Sequence, residues 1–484
     1  MRFFFIFLFF SFPLSQVVIG QQKLNVLFIC VDDLRPDLRS YGDKTAITPN
    51  IDRLAKQGMQ FERAYCQRSL CAPSRASLMT GLRPDTLPII SEDVHFRTIL
   101  PDVVTLPQFF KQQGYHTQAF GKVYHAYPPQ PDDISWTVPE RILDVPKRDE
   151  YLMPENRVRG FINPMEKGTS TEAVETVDEG YQDGQVALAA IETLDTIKHK
   201  PFFLAVGFKR PHLPFTVPKK YWDMYKREDI PLPADMLYPK DDTLGKLRYD
   251  WQPDKGEMRN YTDIPQRGDV SPEKARELIH GYYACISYID VQVGRVLRAL
   301  DSLGLREKTI VILWSDNGYL LGERGLWGKK DNSEKATRVA LMMDVPGMKN
   351  RGVKTNGLVE LVDIFPTLTE LCGIKFPGVL QGTSMVPLLK NPGLVWKKAA
   401  YSSFARMNNT VMAYTVRTAK YRYHEYREKK SGKMIAQELY DMDKDPLEKT
   451  NLVNEKTQKE TVATHMKLLK EGWKSALPST ALTK

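Results

Sequence analysis

The chain has 484 residues, 42% of them hydrophobic, and a formal net charge of +9. That length holds one large α/β domain plus a smaller one, and the apolar content excludes an intrinsically disordered chain. The basic surplus suits an anionic partner, but the sequence has no zinc-finger spacing, RNA-binding signature or arginine-rich arm, which argues against nucleic acid.

At the N-terminus Arg2 precedes an apolar run from Phe3 to Phe12, and Val18-Ile19-Gly20 puts a small residue before Gln21. This pattern predicts a signal peptide over residues 1–20, too short to anchor the chain in a bilayer. The remainder is expected to be exported, to the periplasm or outside the cell (or to the lysosome if the source is an animal). No later apolar stretch reaches the length of a stable membrane span.

Asn25 to Val31 is a continuous apolar run of strand length, as expected of a strand covered on both faces. It ends in Asp32-Asp33, two adjacent carboxylates that repel unless something positive lies close. Pro49 to Gln57 reads as a short helix capped by Thr48. Next comes Cys71-Ala72-Pro73-Ser74-Arg75. Proline at a first helical position loses no needed donor, so a helix is predicted to start near Pro73 with Cys71 just ahead of it. A thiol there admits three readings: a buried small hydrophobe, half of a disulfide, or a low-pKa nucleophile.

Val104 to Gln113 is predicted helical, and Tyr115 to Phe120 forms a second strand, followed at once by Gly121-Lys122-Val123-Tyr124-His125. Residues 126–170 show no period and read as an irregular insertion of the kind that shapes a pocket. Thr171 to Lys198 is predicted helical. A third strand, Pro201 to Phe208, runs into Lys209-Arg210-Pro211-His212, and residues 216–270 are again loop-rich. Ser271-Pro272-Glu273 opens a long helix. Its stripe of Ile279, Tyr283, Ile286, Ile289, Val293, Val296 and Leu300 repeats every three or four positions, and Gly304 ends it. Thr309 to Trp314 is a fourth strand, followed by Ser315-Asp316-Asn317-Gly318.

Alternating strands and helices predict an α/β fold with a large, mostly parallel, doubly wound sheet. In such sheets sites form at the carboxyl ends of the strands. Four strands end in polar residues: Asp32-Asp33, Lys122 with His125, Arg210 with His212, and Asp316-Asn317. From about Ala400 the pattern changes to short pieces of a small antiparallel sheet: Thr415 to Thr418, Tyr421 to Tyr423 and Gln437 to Tyr440. Thr461 to Leu477 would then be a terminal helix packed on them. The expected division is a catalytic α/β domain over 21–395 and a C-terminal α+β subdomain over 396–484.

Five cysteines are present: Cys30, Cys66, Cys71, Cys285 and Cys372. An odd count in an exported chain implies at least one unpaired or modified thiol. Cys30 in an apolar strand and Cys285 in a helical stripe favour buried free thiols, and the pairing of the rest stays open.

Asp32, Asp33, Asp316 and Asn317 offer hard oxygen ligands without a His/Cys cage, which suits calcium or magnesium rather than zinc. The other residues at the strand ends are basic: Arg75, Lys122 and Lys329 (or Lys330), with His125 and His212. Metal, lysines and histidines together suit a tetrahedral oxyanion whose charge grows on a leaving oxygen.

The Cys71 string followed by Thr80-Gly81 resembles the signature of the formylglycine-dependent (type I) sulfatases. The likeness extends through Val31-Asp32-Asp33, Gly121-Lys122, Pro211-His212, Ser315 to Gly318 and Gly322 to Lys329, and is strongest toward the iduronate-2-sulfatase branch. It implies an alkaline-phosphatase-like fold and hydrolysis of sulfate esters. Cys71, oxidised to formylglycine by a maturation enzyme, would attack sulfur as its hydrate and hold the sulfate covalently. Asp32, Asp33, Asp316, Asn317 and residue 71 would bind one Ca²⁺. Lys122 and Lys329 would grip the sulfate, and Arg75 would support the formylglycine hydroxyl and the metal ligands. His212 would protonate the leaving sugar oxygen, and His125 would help release sulfate. The branch carries Ser-Asp-His-Gly where this chain has Asn317, and histidines where it has Arg324 and Arg338. Extra arginines suit a substrate carboxylate or a second sulfate, and equally a surface position.

The expected substrate is a sulfated polysaccharide or its oligosaccharides, uronate-2-sulfate-like or of algal type. Two alternatives remain: a phosphonate or phosphate ester hydrolase of the same superfamily, and a non-catalytic glycan-binding protein in which Cys71 stays a thiol.

Overall fold

The computed structural model describes residues 23–125, 131–141, 150–157, 167–236, 243–248 and 256–478. The expected signal peptide lies outside these residues, as do parts of the two loop-rich segments.

Seven strands form the central sheet: β1 (Asn25–Val31), β2 (Met59–Phe61), β3 (His116–Gly121), β4 (Phe202–Phe208), β5 (Thr309–Ser315), β6 (Leu341–Asp344) and β7 (Val353–Thr355). Their order is β7-β2-β6-β5-β1-β4-β3. Only β6 runs against its neighbours, so the sheet is mixed but mostly parallel. The four strands legible as apolar runs are the four contiguous ones, β5-β1-β4-β3.

Their apolar continuity has a direct cause. Alternate residues of a strand face opposite ways, and here both faces are covered. Leu27, Ile29 and Val31 pack toward Val186, Leu194, Ile289 and Val293 of the helices Gln182–Ile197 and Pro272–Ser302. Val26, Phe28 and Cys30 pack toward Met79, Phe110 and Phe365 on the other side. Each fully buried large side chain contributes about 1.5–3 kcal/mol, which fixes the strands between two cores.

Register then decides where the polar residues emerge. Val31 lies opposite Phe208 on one side and Ser315 on the other, and Gly121 lies opposite Gly207. Asp32, Asp316, Lys122 and Lys209 therefore leave the sheet at one edge. Gly121 has φ +72° and a Cβ there would sit 2.1 Å from the Gly207 carbonyl oxygen, so only glycine lets β3 turn this closely over β4.

Several local expectations need correction. The helix after Ser69 spans Cys71–Thr80, so Cys71 is its first residue rather than lying ahead of it. Thr48 does not cap the helix Pro49–Gln57; the Asp290 carboxylate does, accepting from the backbone N–H groups of Asn50 and Ile51. The stretch expected as one helix from Thr171 begins as a strand, Thr171–Val174, paired with Phe215–Pro218. A 3₁₀ turn at Asp178–Gly180 then precedes the helix Gln182–Ile197. The C-terminal helix stops at Glu471, because Gly472 at φ +73° turns the chain into a 3₁₀ turn, Trp473–Ala476.

The C-terminal sheet has four antiparallel strands in sequence order, Ala399–Arg406, Val411–Thr418, Tyr421–Glu428 and Met434–Asp441. Buried ion pairs fasten it to the segment after Lys329: Arg406 to Asp331 at 2.8 Å and Arg422 to Glu334 at 2.6 Å. All five cysteines are free thiols, and Cys30 and Cys285 are buried as expected. Among the described residues no helix is long and apolar enough to cross a membrane.

Candidate active site

The sheet edge brings the expected residues into one cluster. The Cys71 thiol donates to Asp32 Oδ1 at 3.2 Å and receives Lys329 Nζ at 2.9 Å. Lys122 Nζ pairs with Asp32 Oδ2 and lies 3.9 Å from the sulfur. Arg75 bridges two carboxylates, donating through Nε to Asp316 at 2.9 Å and through a terminal nitrogen to Asp32 at 3.2 Å. Lys329 also holds both oxygens of Asp33, at 2.8 and 3.0 Å. Lys329, rather than Lys330, is thus the lysine of this cluster.

Local structure accounts for these positions. Arg75 lies on the buried helix that starts at Cys71 and reaches across to the ends of β1 and β5. Lys122 is held by its backbone N–H, which donates to Gly207 at 2.9 Å. Lys329 is carried by the segment that the C-terminal sheet fastens. The His212 turn is fixed by Asp183, which accepts from the backbone N–H groups of Lys209 and Arg210 at 2.7 and 3.0 Å. Arg210 itself points away, to Glu150 and Thr216, so of that pair only His212 enters the site.

Three carboxylates are fully buried here against three cations, Arg75, Lys122 and Lys329. Burial opposes ionising Asp32, yet Lys122 and Arg75 outweigh it and hold its carboxyl well below the usual range. For Asp33 burial prevails over Lys329 and pushes the carboxyl up to about 7. Burial also raises Asp316, although Arg75 opposes it. Burial, Asp316 and Asp32 push the Cys71 thiol up, outweighing the two lysines beside it, so it is not an activated thiolate. Burial and Lys122 pull His125 down to about 3. Burial and Lys329 likewise pull His212 well below its ordinary value, against Glu257.

Ligand atoms of Asp32, Asp33, Cys71 and Asp316 all lie within 4.8 Å of one another. The Asn317 side chain donates to Asp33 Oδ1 at 2.7 Å, while its own Oδ1 is buried with no hydrogen-bond partner. A pocket of three carboxylates with an orphaned amide oxygen has the hard oxygen ligands that a divalent cation such as calcium or magnesium takes.

Two acidic residues at the site carry no sequence signal. A Glu92 carboxylate oxygen, a Cys71 Sγ and a His125 ring nitrogen lie within 4.8 Å of one another. Glu257 comes within 3.8 Å of His212 Nε2, which is also 3.9 Å from Asp33. Glu92 sits in an irregular segment and Glu257 opens the short 3₁₀ helix Glu257–Asn260, with no motif around either. The two extra arginines are occupied elsewhere: Arg324 donates to the Leu447 carbonyl at 2.6 Å, and Arg338 to the Glu62 carbonyl at 2.8 Å.

Comparison with known proteins agrees with this geometry. The profile of the Sulfatase family matches residues 24–374, and that of N-sulphoglucosamine sulphohydrolase, C-terminal, matches residues 322–474. Iduronate 2-sulfatase of Mus musculus is 33% identical over 512 residues, covering 89% of this chain and 91% of its own length. A sulfatase of Formosa agariphila is 34% identical over 490 residues, covering 97% and 89%. Among solved structures, a phosphonate monoester hydrolase of Agrobacterium radiobacter superposes with a TM-score of 0.74 at 22% identity, covering 93% of this chain and 95% of its own. A 2-O GAG sulfatase gives 0.69 at 23%, covering 93% and 92%. These last two speak for the alkaline-phosphatase-like fold. The family profile over most of the chain, and relatives a third identical across it, carry the conclusion that this chain belongs to the type I sulfatase family and is a sulfuric ester hydrolase.

Proposed function

We propose that this protein is an exported, Ca²⁺-dependent sulfatase that removes sulfate from a sulfated polysaccharide or its oligosaccharides, using Cys71 after its conversion to formylglycine. Residues 21–395 would form the catalytic domain and 396–484 the C-terminal subdomain, with residues 1–20 as the signal peptide and a maturation enzyme acting on Cys71. The observation that carries the reading is the convergence on one sulfur of Asp32 and Lys329, at 3.2 and 2.9 Å. Likeness to iduronate 2-sulfatase and to a 2-O GAG sulfatase supports the glycan class.

Asp32, Asp33, Asp316 and Asn317, with residue 71, would hold the cation, which supplies Lewis-acid polarisation of a sulfate oxygen when bound. The site's own residues do the rest. Lys122 and Lys329 flank residue 71 and grip the sulfate from two sides. Arg75 keeps the helix start and two metal ligands in register. His212 Nδ1 meets the Leu213 carbonyl at 2.7 Å, which fixes its proton there and leaves Nε2 facing the pocket. Proton delivery from Nε2 needs the charged ring. Burial and Lys329 oppose that state, Glu257 favours it, and an anionic ester between the lysines shifts the balance toward it. His125, kept neutral beside residue 71, is suited to take the proton whose removal releases sulfate.

Desulfation of a panel of sulfated glycan oligosaccharides by wild type and by Cys71→Ala tests the reading. Activity on one class that disappears in the variant is expected, with an aryl sulfate turned over faster than an aryl phosphate diester. Equal activity in the two proteins would end this mechanism.

A further inference from the structure

A second cleft opens between the C-terminal sheet and the turn that follows the Cys71 helix. Its volume of about 450 Å³ is of ligand size, and it shares no residue with the Cys71 cluster. Tyr401, Tyr414 and Trp473 line it together with Arg83, Arg427 and Lys470, against one carboxylate, Asp85. Two of these cations are already matched, Arg83 by Glu360 and Arg427 by Glu425. Lys470 is exposed.

The surplus positive charge sits under the floor. Arg68 is only 3% exposed, and its guanidinium donates to neutral acceptors. These are the Ser403 carbonyl at 3.3 Å, the Ser403 hydroxyl at 3.1 Å and the Ile89 carbonyl at 2.6 Å. Ser403 itself lines the cleft. Arg75, Arg83, Arg406 and Arg422, which are also buried, each face a carboxylate; Arg68 pairs with none among the described residues. Burial pulls Arg68 down to about 10, and Asp85 on the cleft wall opposes it only in part. A buried cation with no carboxylate in ion-pair contact is costly, and an anion seated over Ser403 would relieve that cost. The aromatic rings add flat apolar area with polar tips, and the Tyr414 hydroxyl has no hydrogen bond among the described residues.

We propose that this cleft is a second binding site that takes an anionic sugar unit, a sulfated residue of the same chain whose sulfate ester is cut at Cys71. It holds the polymer and does not cleave it. The source of its ligand rests on the sulfated-glycan reading above.

The test titrates wild type, Trp473→Ala and Tyr414→Ala with dextran sulfate and with uncharged dextran, and follows turnover of a small aryl sulfate in parallel. Each variant is expected to bind dextran sulfate about five- to tenfold more weakly, the loss of one aromatic contact, with aryl sulfate turnover unchanged. Wild type should bind uncharged dextran far more weakly than dextran sulfate. Equal affinity of all three proteins for dextran sulfate would overturn the proposal, as would equal binding of the charged and uncharged polymers. Trp473 stacks on Arg83, so if Trp473→Ala loses turnover through misfolding, Tyr414→Ala and Lys470→Gln decide the matter. A wild type inert toward every sulfate ester would refute the sulfatase reading alone, since the binding measurement stands apart from it.

Discussion

Lys329 Nζ lies 2.9 Å from Cys71 Sγ although 258 residues separate them. The contact exists because the C-terminal sheet fastens the segment just beyond Lys329, through Arg406 to Asp331 and Arg422 to Glu334. A positioned cation at a developing oxyanion is typically worth on the order of 100- to 1000-fold in rate. Lys329→Ala is expected to lower kcat/KM on an aryl sulfate by that amount while the protein stays folded. A loss under about fivefold would remove Lys329 from the sulfate grip.

Arg75 has a structural role as well as a chemical one. Fully buried, it is the group that joins Asp32 to Asp316. Arg75→Ala leaves two buried carboxylates short of a partner and should cost about 3–5 kcal/mol of stability. Urea unfolding of the Cys71→Ala and Arg75→Ala proteins separates the effects: only the second should show the large drop in midpoint. An unchanged midpoint for Arg75→Ala would contradict this.

Glu257 stands 3.8 Å from His212 Nε2 and favours the protonated ring. Its help matters only where the leaving oxygen needs a proton. Glu257→Gln is therefore expected to slow a sugar sulfate about tenfold and to leave an aryl sulfate, whose phenolate departs unaided, nearly unaffected. Equal slowing of both substrates would mean that Glu257 acts in binding instead.

Glu334 gives the pH dependence a defined sign. Burial would raise its carboxyl, but Arg417, Arg422 and Arg338 outweigh burial and hold it far below the usual range. A depressed carboxylate contributes stability that is present above the unfolded value, about 4.3, and is lost as pH falls below it. Glu334→Gln should lower Tm clearly at pH 7, by an amount that begins to shrink below about pH 4 and goes on shrinking as the pH falls toward the depressed folded value. A gap between the two proteins that does not narrow on acidification would contradict the assignment.

The four central strands were legible because both faces are covered, which leaves uninterrupted apolar runs such as Asn25 to Val31. Their polar ends were legible for the same reason: register carries Asp32, Lys122, His212 and Asp316 to one edge. The flanking strands Met59–Phe61 and Val353–Thr355 are three residues each, too short to show a period. Glu92 and Glu257 were hidden because one lies in an irregular segment and the other in a single 3₁₀ turn, where spacing says nothing about neighbours. Asp290 as a cap for the helix Pro49–Gln57 was equally hidden, 240 residues away in sequence. For Arg324 and Arg338 residue type left anion binding and a surface position equally open; Arg324 donates to the Leu447 carbonyl, and Arg338 to the carbonyl and the carboxylate of Glu62.

The most direct test is the mass of the peptide that contains residue 71, taken from active protein made in its native host. Conversion to formylglycine removes the sulfur, its hydrogen and one hydrogen of the β-carbon and adds an oxygen, so the account predicts a lighter peptide, and a fraction converted that tracks specific activity. Full sulfatase activity with an intact thiol at Cys71 would contradict it.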